Sequence, residues 1–254
     1  MTLIVHEIQA KSILSPSKIY PWVINPYTGC QHGCSYCYAR FMKRVTGHKE
    51  PWGAFVDVKI NAPDLLRVEI PKKRRGKVWV SGVCDPYQPL EKKYRLTRQC
   101  LQILARHEWP VIIQTRSPLV LRDMDIIRDA REFEVGLSVT TADDAIRKLF
   151  EPDAPPIPDR IQALEELHNA GIRTYAMVAP VLPGAEGLAA VVIGIGLNVN
   201  IRREAFHPAH RDLATSLKEE TGADHDVGEA AVRLCERFEA VYDRFLGEGF
   251  GALR

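Results

Sequence analysis

Val78-Trp-Val-Ser-Gly-Val83, Val111-Ile-Ile-Gln-Thr115, Val135-Gly-Leu-Ser-Val-Thr140 and Thr174-Tyr-Ala-Met-Val-Ala179 are four short, apolar, β-branched runs. Each reads as a buried strand. Helical periodicity occupies the intervals around Leu96 to His107, Leu119 to Arg131 and Arg160 to Ala170. Strand, helix, strand at this rhythm predicts parallel βα units, because parallel neighbours need a long crossover. Pro158 or Asp159 is the expected start of the last helix, and Gly171 its C-terminal cap. In such an arrangement the working residues sit at the carboxyl ends of the strands.

The 254 residues, 46% hydrophobic and 26% charged, suit a globular chain and exclude disordered or collagen-like classes. No apolar run approaches the roughly 18 to 20 residues of a membrane span, and Met1 to Ala10 lacks a signal-peptide pattern, so a cytoplasmic protein without a membrane partner is expected. The net charge of +2 conceals an asymmetry. Residues 1–127 carry 20 Lys/Arg against 10 Asp/Glu, and residues 128–254 carry 14 against 22. The basic half, with its run Lys72-Lys-Arg-Arg-Gly-Lys77, permits a nucleic-acid substrate without requiring one; a solvated loop is the plainer reading of that run.

Cys30, Cys34 and Cys37 stand within eight residues in Asn25-Pro-Tyr-Thr-Gly-Cys-Gln-His-Gly-Cys-Ser-Tyr-Cys-Tyr-Ala-Arg40, while Cys84, Cys100 and Cys235 are scattered. Clustered thiols in a reducing compartment point to metal. Gly29 and Gly33 allow the tight backbone that convergence needs. A structural zinc site is normally closed by a fourth ligand, which this segment lacks. The alternative is an iron–sulfur cluster on three cysteines, with one iron left open. A surface triplet without ligand is the third reading.

The C-x3-C-x2-C spacing, with Tyr36 before the third cysteine, resembles the radical S-adenosylmethionine superfamily. Asn25-Pro-Tyr-Thr-Gly-Cys30, Tyr36-Cys-Tyr-Ala-Arg40 and Ser81-Gly-Val-Cys-Asp-Pro-Tyr-Gln-Pro89 resemble its spore photoproduct lyase-like branch, often labelled DNA repair photolyases. Thr115-Arg-Ser117, Leu137-Ser-Val-Thr-Thr141 and Glu151-Pro-Asp-Ala-Pro-Pro156 extend the likeness over about residues 15–185. The resemblance implies an α/β fold, a partial (βα)6-type TIM-like barrel that is truncated here and carries an α/β C-terminal appendage. It implies a [4Fe–4S] cluster on Cys30, Cys34 and Cys37, S-adenosyl-L-methionine on the open iron, and an electron donor of flavodoxin or ferredoxin type. The radical generated would take hydrogen from an unknown substrate, nucleic acid being one option.

The same resemblance distributes roles. Asp85 would accept hydrogen bonds from the ribose or amino end of the cofactor, a turn residue before Pro86 being the alternative. Arg116 would pair with the methionine carboxylate and Ser138 bond the same moiety; relatives tend to carry lysine at 116, and arginine needs more room. Tyr36 and Tyr38 would pack on adenine or shield the cluster, core aromatics being the alternative. Cys84 would be a catalytic hydrogen-atom donor, although its register departs from the lyase and a small buried hydrophobe is the plainer reading. Glu151 or Arg160, in a proline-rich loop over the barrel mouth, could touch cofactor or substrate.

Beyond Gly184 the likeness changes, which predicts two domains, residues 1–185 and 186–254. Val191-Val-Ile-Gly-Ile-Gly-Leu-Asn-Val-Asn200, Ala214-Thr-Ser-Leu217 and the amphipathic Glu229 to Phe250 resemble a late fragment of biotin protein ligase. The lysine-bearing and Gly/Arg-rich elements that make biotinyl-adenylate are missing, so a packing role is expected, with Val191 to Leu197 as a possible extra strand. Two other functions stay open: a nucleic-acid module with a structural metal, and a biotin- or adenylate-binding protein. His207-Pro-Ala-His210 reads as a solvated loop despite metal-compatible spacing.

Overall fold

The computed structural model describes residues 3–180, 182, 202–205, 216–226, 229 and 233. The chain divides into two compact units, residues 1–193 and 194–254. Among the described residues no helix is long and apolar enough to cross a membrane.

In the first unit a six-stranded sheet runs in the order β2 (Ser15–Pro16), β3 (Trp22–Ile24), β6 (Val78–Val80), β7 (Val111–Thr115), β8 (Phe133–Ser138), β9 (Arg173–Met177). From β3 to β9 all pairs are parallel, and β2 closes the edge antiparallel. The fold is therefore mixed α/β with a parallel sheet, in keeping with a partial TIM-like barrel. Five parallel strands are described where a (βα)6 count asks for six, and no closed barrel forms among the described residues. A second sheet, β1 (Ile4–Ile8), β5 (Phe55–Lys59) and β4 (Tyr27–Thr28), lies beyond the expectation from sequence.

Val78, Val80, Val111, Ile113, Val135 and Leu137 are fully buried and share one core with Leu101 and Leu104 of α4 (Leu96–Arg106), Ile127 of α5 (Met124–Asp129) and Leu167 of α7 (Ile157–Asn169). Burial of each such side chain contributes about 1.5–3 kcal/mol, so these crossovers are held on the sheet chiefly by apolar contact. Helix ends supply the rest. Buried Glu91 accepts the Thr97 and Arg98 amides of the first turn of α4 at 3.1 and 3.2 Å, satisfying orphan donors at the positive end of the helix dipole. At the end of α7, Gly171 (φ +78°) donates to His168 and Ile172 donates to Leu167, the paired bonds of a Schellman cap.

β8 and β9 begin and end one or two residues earlier than the expected Val135–Thr140 and Thr174–Ala179, and three further boundaries differ for a local reason. β6 stops at Val80, not Val83, because the Ser81 hydroxyl and the Gly82 and Val83 amides all bond to Asn25 Oδ1 at 2.8 to 3.0 Å, leaving none of them for a sheet. The interval 119–131 is split into a 3-10 helix, Pro118–Asp123, and α5, with Ser117 Oγ capping Leu119. α7 starts at Ile157, whose amide bonds Asp144 Oδ1 at 2.9 Å; Pro158 then sits in the first turn, where a missing amide costs nothing.

The basic run lies at the amino-terminal side of β6, opposite the strand ends where a site would be built. Arg75 and Lys77 pair with Glu132 and Glu134 of the acidic half, and Lys73 stacks over Trp22. It is thus a partly neutralised edge rather than a surface facing the site.

In the second unit Ser216 Oγ caps α8 (Leu217–Thr221) at the Glu219 amide, 3.2 Å, and Gly222 (φ +76°) ends it. Val191 to Asn200, His207 to His210 and the expected helix within 229–250, apart from positions 229 and 233, lie outside the described residues.

Candidate cofactor site

Cys30, Cys34 and Cys37 follow β4 on a loop of successive turns. Gly33 donates to the Cys30 carbonyl, Cys37 to Cys34 and Arg40 to Cys37. Gly29 (φ +88°) is required twice over: a side chain there would be strained, and its Cβ would lie 2.4 Å from the Phe55 carbonyl oxygen of the outer sheet. That close pass fixes where Cys30 points.

The loop is bolted to the segment after β6. Gln88, fully buried, accepts the Gln31 amide at 3.0 Å and donates to the Gly29 carbonyl at 3.2 Å, while Gln31 Oε1 accepts the Leu90 amide at 2.7 Å. Asn25, before the loop, holds residues 81–83 as described above. Two motifs distant in sequence are thus one rigid object, and neither Asn25 nor Gln88 is assigned a role by sequence reading, although both lie inside the quoted motifs.

All nine residues expected from sequence line one cavity of about 410 Å³: Cys30, Cys34, Cys37, Tyr36, Tyr38, Cys84, Asp85, Arg116 and Ser138. Trp52, Trp79, Gln114 and Met177 complete its wall. The contributing strands reach it with their carboxyl ends, as parallel βα topology requires.

Asp85 is buried and heavily engaged. Its carboxylate accepts Tyr87 N–H at 2.9 Å, Thr115 Oγ1–H at 2.6 Å and Arg116 N–H at 2.7 Å. Burial alone would raise its pKa, but nearby His32 and these donors hold it at about 2. Its geometry is that of a brace between β6 and β7, setting the backbone at Arg116.

Arg116 continues into a buried charge network. Its Nε lies 3.4 Å from Glu151 Oε1 and its Nη2 donates to the Tyr36 hydroxyl at 3.2 Å. Glu151, wholly buried, also accepts Tyr36, Thr140 at 2.8 Å and Arg160 at 2.5 Å. Arg160 is itself fully buried, with its remaining donors on the carbonyls of Ser138 and Pro155. Glu151 and Arg160 therefore form an internal ion pair beneath the cavity, which corrects the expectation of a mouth loop touching ligand. Arg116 and Arg160 share the Glu151 carboxylate, and Arg116 is the guanidinium that lines the cavity, with 21% of its side chain exposed.

Tyr36 belongs to this polar network, whereas Tyr38 stands at the rim with 65% of its surface exposed and its hydroxyl on the Gly82 carbonyl. Ser138 Oγ accepts Gln114 Nε2 at 3.1 Å, and Gln114 Oε1 accepts the Tyr175 hydroxyl at 2.7 Å. The Cys84 thiol donates to the Tyr27 carbonyl at 3.3 Å beside Ser81 Oγ at 3.0 Å, and burial pushes its pKa up to about 12, so it is a protonated thiol near neutrality.

Two buried side-chain nitrogens among the described residues lack a hydrogen-bond partner, His32 Nδ1 and Trp52 Nε1. His32 sits inside the cysteine loop, its Nδ1 3.4 Å from Asp85 Oδ2 but out of line for a hydrogen bond; Trp52 lines the cavity. Unsatisfied buried donors are costly, and an acceptor-bearing group held on the neighbouring thiols is the kind of partner that would relieve them. The three thiols open into one cavity, a donor set compatible with iron–sulfur ligation.

A half-barrel of parallel βα units with a three-cysteine loop at its strand ends defines a class of cofactor-dependent enzyme. The family model of the Radical SAM superfamily matches residues 24–186, and the chain belongs to that superfamily, whose enzymes work by radical chemistry. An uncharacterized protein of Methanocaldococcus jannaschii, MJ0683, is 41% identical over 179 residues, covering 70% of this chain and 67% of the relative. A protein of Pseudomonas phage M6 named radical SAM Nalpha-GlyT isomerase is 26% identical over 162 residues, 63% of this chain and 33% of that one. Among solved structures, spore photoproduct lyase complexed with dinucleoside spore photoproduct superimposes with a TM-score of 0.57 at 17% identity, covering 69% of this chain. A mutant of that lyase with bound AdoMet and the same photoproduct gives 0.57 at 18% identity. The chain spans about half the length of these lyase chains.

Proposed function

We propose that Cys30, Cys34 and Cys37 hold a [4Fe–4S] cluster and that the adjoining cavity binds S-adenosyl-L-methionine. The observation that carries this reading is the meeting, in one cavity, of three thiols with the Arg116 guanidinium. When bound, the pair supplies reductive cleavage of the sulfonium to a 5′-deoxyadenosyl radical that abstracts hydrogen from substrate.

The chain's own residues do the rest. Arg116 offers charge to the methionine carboxylate, its orientation held by Asp85 at the backbone and by Tyr36 and Glu151 at the side chain. Ser138, set by Gln114, adds a hydroxyl to the same region. Tyr38 and Trp52 supply aromatic surface for adenine or for shielding the cluster. Cys84, a protonated thiol on the cavity wall, would give a hydrogen atom to a substrate radical and become a thiyl radical, which one further electron and a proton return to the thiol. One electron must come from outside, and a small flavodoxin- or ferredoxin-type donor fits that need.

For the substrate we propose a nucleic acid or nucleotide derivative. Its support is the lyase fold solved with a dinucleoside photoproduct and the basic first half of the chain; the partly neutralised run at residues 72–77 takes no part. Anaerobic reconstitution with iron and sulfide, followed by dithionite and S-adenosylmethionine, tests the reading. Four irons per chain and 5′-deoxyadenosine are expected; a colourless protein holding one zinc would overturn it in favour of a structural metal module.

A further inference from the structure

We propose a second metal site, separate from the cysteine loop, formed by His6, His48 and Asp57 for a divalent first-row ion of the zinc type. His6 lies on β1 and Asp57 on β5, paired directly across the parallel ladder, so register alone puts the two side by side. His48 comes from the turn after α1 (Met42–Thr46), the helical segment that follows the cysteine motif. Ligand atoms of all three lie within 4.8 Å of one another.

The distances suit a single ion. His48 Nε2 is 3.0 Å and His6 Nδ1 3.5 Å from the same oxygen, Asp57 Oδ1. Tetrahedral bonds of about 2.0–2.1 Å separate neighbouring ligand atoms by about 3.3–3.4 Å, between those two values. The far nitrogen of His48 is also provided for: Nδ1 lies 2.9 Å from Glu50 Oε2, which the Lys49 amide steadies at 3.0 Å. A carboxylate behind a ligating histidine fixes its tautomer and raises its basicity. The His48 ring is held flat against Phe55, centroids 4.0 Å apart, and the His6 ring lies nearly parallel to it at 5.4 Å.

Charge and access agree. With both imidazoles neutral, Asp57 and Glu50 bring two negative charges that a divalent ion balances. Asp57 is buried and His48 half-buried, while His6 is 55% exposed beside an open groove of about 590 Å³, from which an ion could enter and water fill the remaining position. The ladder register sets His6 beside Asp57 with or without an ion; an ion adds one centre that the two imidazole nitrogens and the carboxylate oxygen can share. Filled, the site would staple the 42–50 segment to the outer sheet.

The test uses the full chain with Cys30, Cys34 and Cys37 changed to alanine, so that those thiols cannot compete. Equilibrium dialysis against zinc is expected to give one tightly held ion, lost with His48→Ala and weakened by His6→Gln, whose exposed side chain can change without unfolding the sheet. Glu50→Gln is expected to keep the stoichiometry and weaken affinity about 10- to 100-fold. Should the triple variant not fold, cobalt titration of the unaltered chain gives the same answer: visible bands in addition to any sulfur-to-metal charge transfer from the cysteine loop, weakened by His6→Gln and lost with His48→Ala. No stoichiometric ion, binding indifferent to His6 and His48, or cobalt bands with thiolate character alone would overturn the proposal.

Discussion

Glu151→Gln isolates the buried charge network that we place under the cofactor. The substitution keeps the side chain's size but removes the one negative charge shared by Arg116 and Arg160. In the native fold burial would raise the Glu151 pKa, yet the two guanidinium groups and the hydrogen bonds from Tyr36 and Arg160 bring it from 4.5 to about 2. Moving a carboxyl that far corresponds to about 3 kcal/mol of preference for the ionised form. The independent expectation for leaving a buried ion-pair partner unmatched is about 3–5 kcal/mol. Urea unfolding at pH 7 should therefore show the variant less stable by about 3 kcal/mol. Because the folded-state pKa is depressed, this contribution is complete above pH 4.5 and fades as pH falls toward 2, leaving less than about half of it at pH 3. A loss below about 1 kcal/mol at pH 7, or a gap that does not narrow in acid, would refute the reasoning.

Three further substitutions probe the scaffold. Gly29→Ala forces a left-handed residue and a 2.4 Å approach to the Phe55 carbonyl, so iron uptake on reconstitution should fall sharply and stability drop by at least about 2 kcal/mol. Gly136→Ala puts a methyl 2.2 Å from the Tyr175 ring, which should displace Tyr175 from Gln114 at a cost of about 1–3 kcal/mol; a double variant with Tyr175→Ser should recover most of it, as thermal unfolding would show. Asn25→Ala strips one acceptor from three donors at residues 81–83 and should loosen the Cys84–Asp85 segment, read as faster hydrogen exchange there, while Asn25→Asp retains the acceptor and most of the protection.

Much of this molecule is legible in sequence where a single physical signal dominates. β7 is found to the residue because Val111–Thr115 is apolar, β-branched and bounded by Pro110 and Arg116. The nine site residues share a cavity because the cysteine spacing and the strand-end rule are both local. β3 and β4, only three and two residues long, offer no period to read, and the outer sheet they lead to is fixed by long-range pairing. The Arg116–Glu151–Arg160 network is equally hidden. Glu151 and Arg160 look like surface residues of a proline-rich turn, and only the fold reveals that they are buried against each other. The His6–His48–Asp57 cluster is of the same kind, since its members are scattered until β1 and β5 pair.

The most direct test of the central claim is the EPR spectrum of the anaerobically reconstituted, dithionite-reduced protein recorded before and after adding S-adenosylmethionine. A [4Fe–4S] cluster with one iron open to the cofactor predicts a reduced-cluster signal that shifts on addition, with the shift weakened in Arg116→Gln. A cluster signal unchanged by S-adenosylmethionine, or no cluster signal at all, would contradict the account.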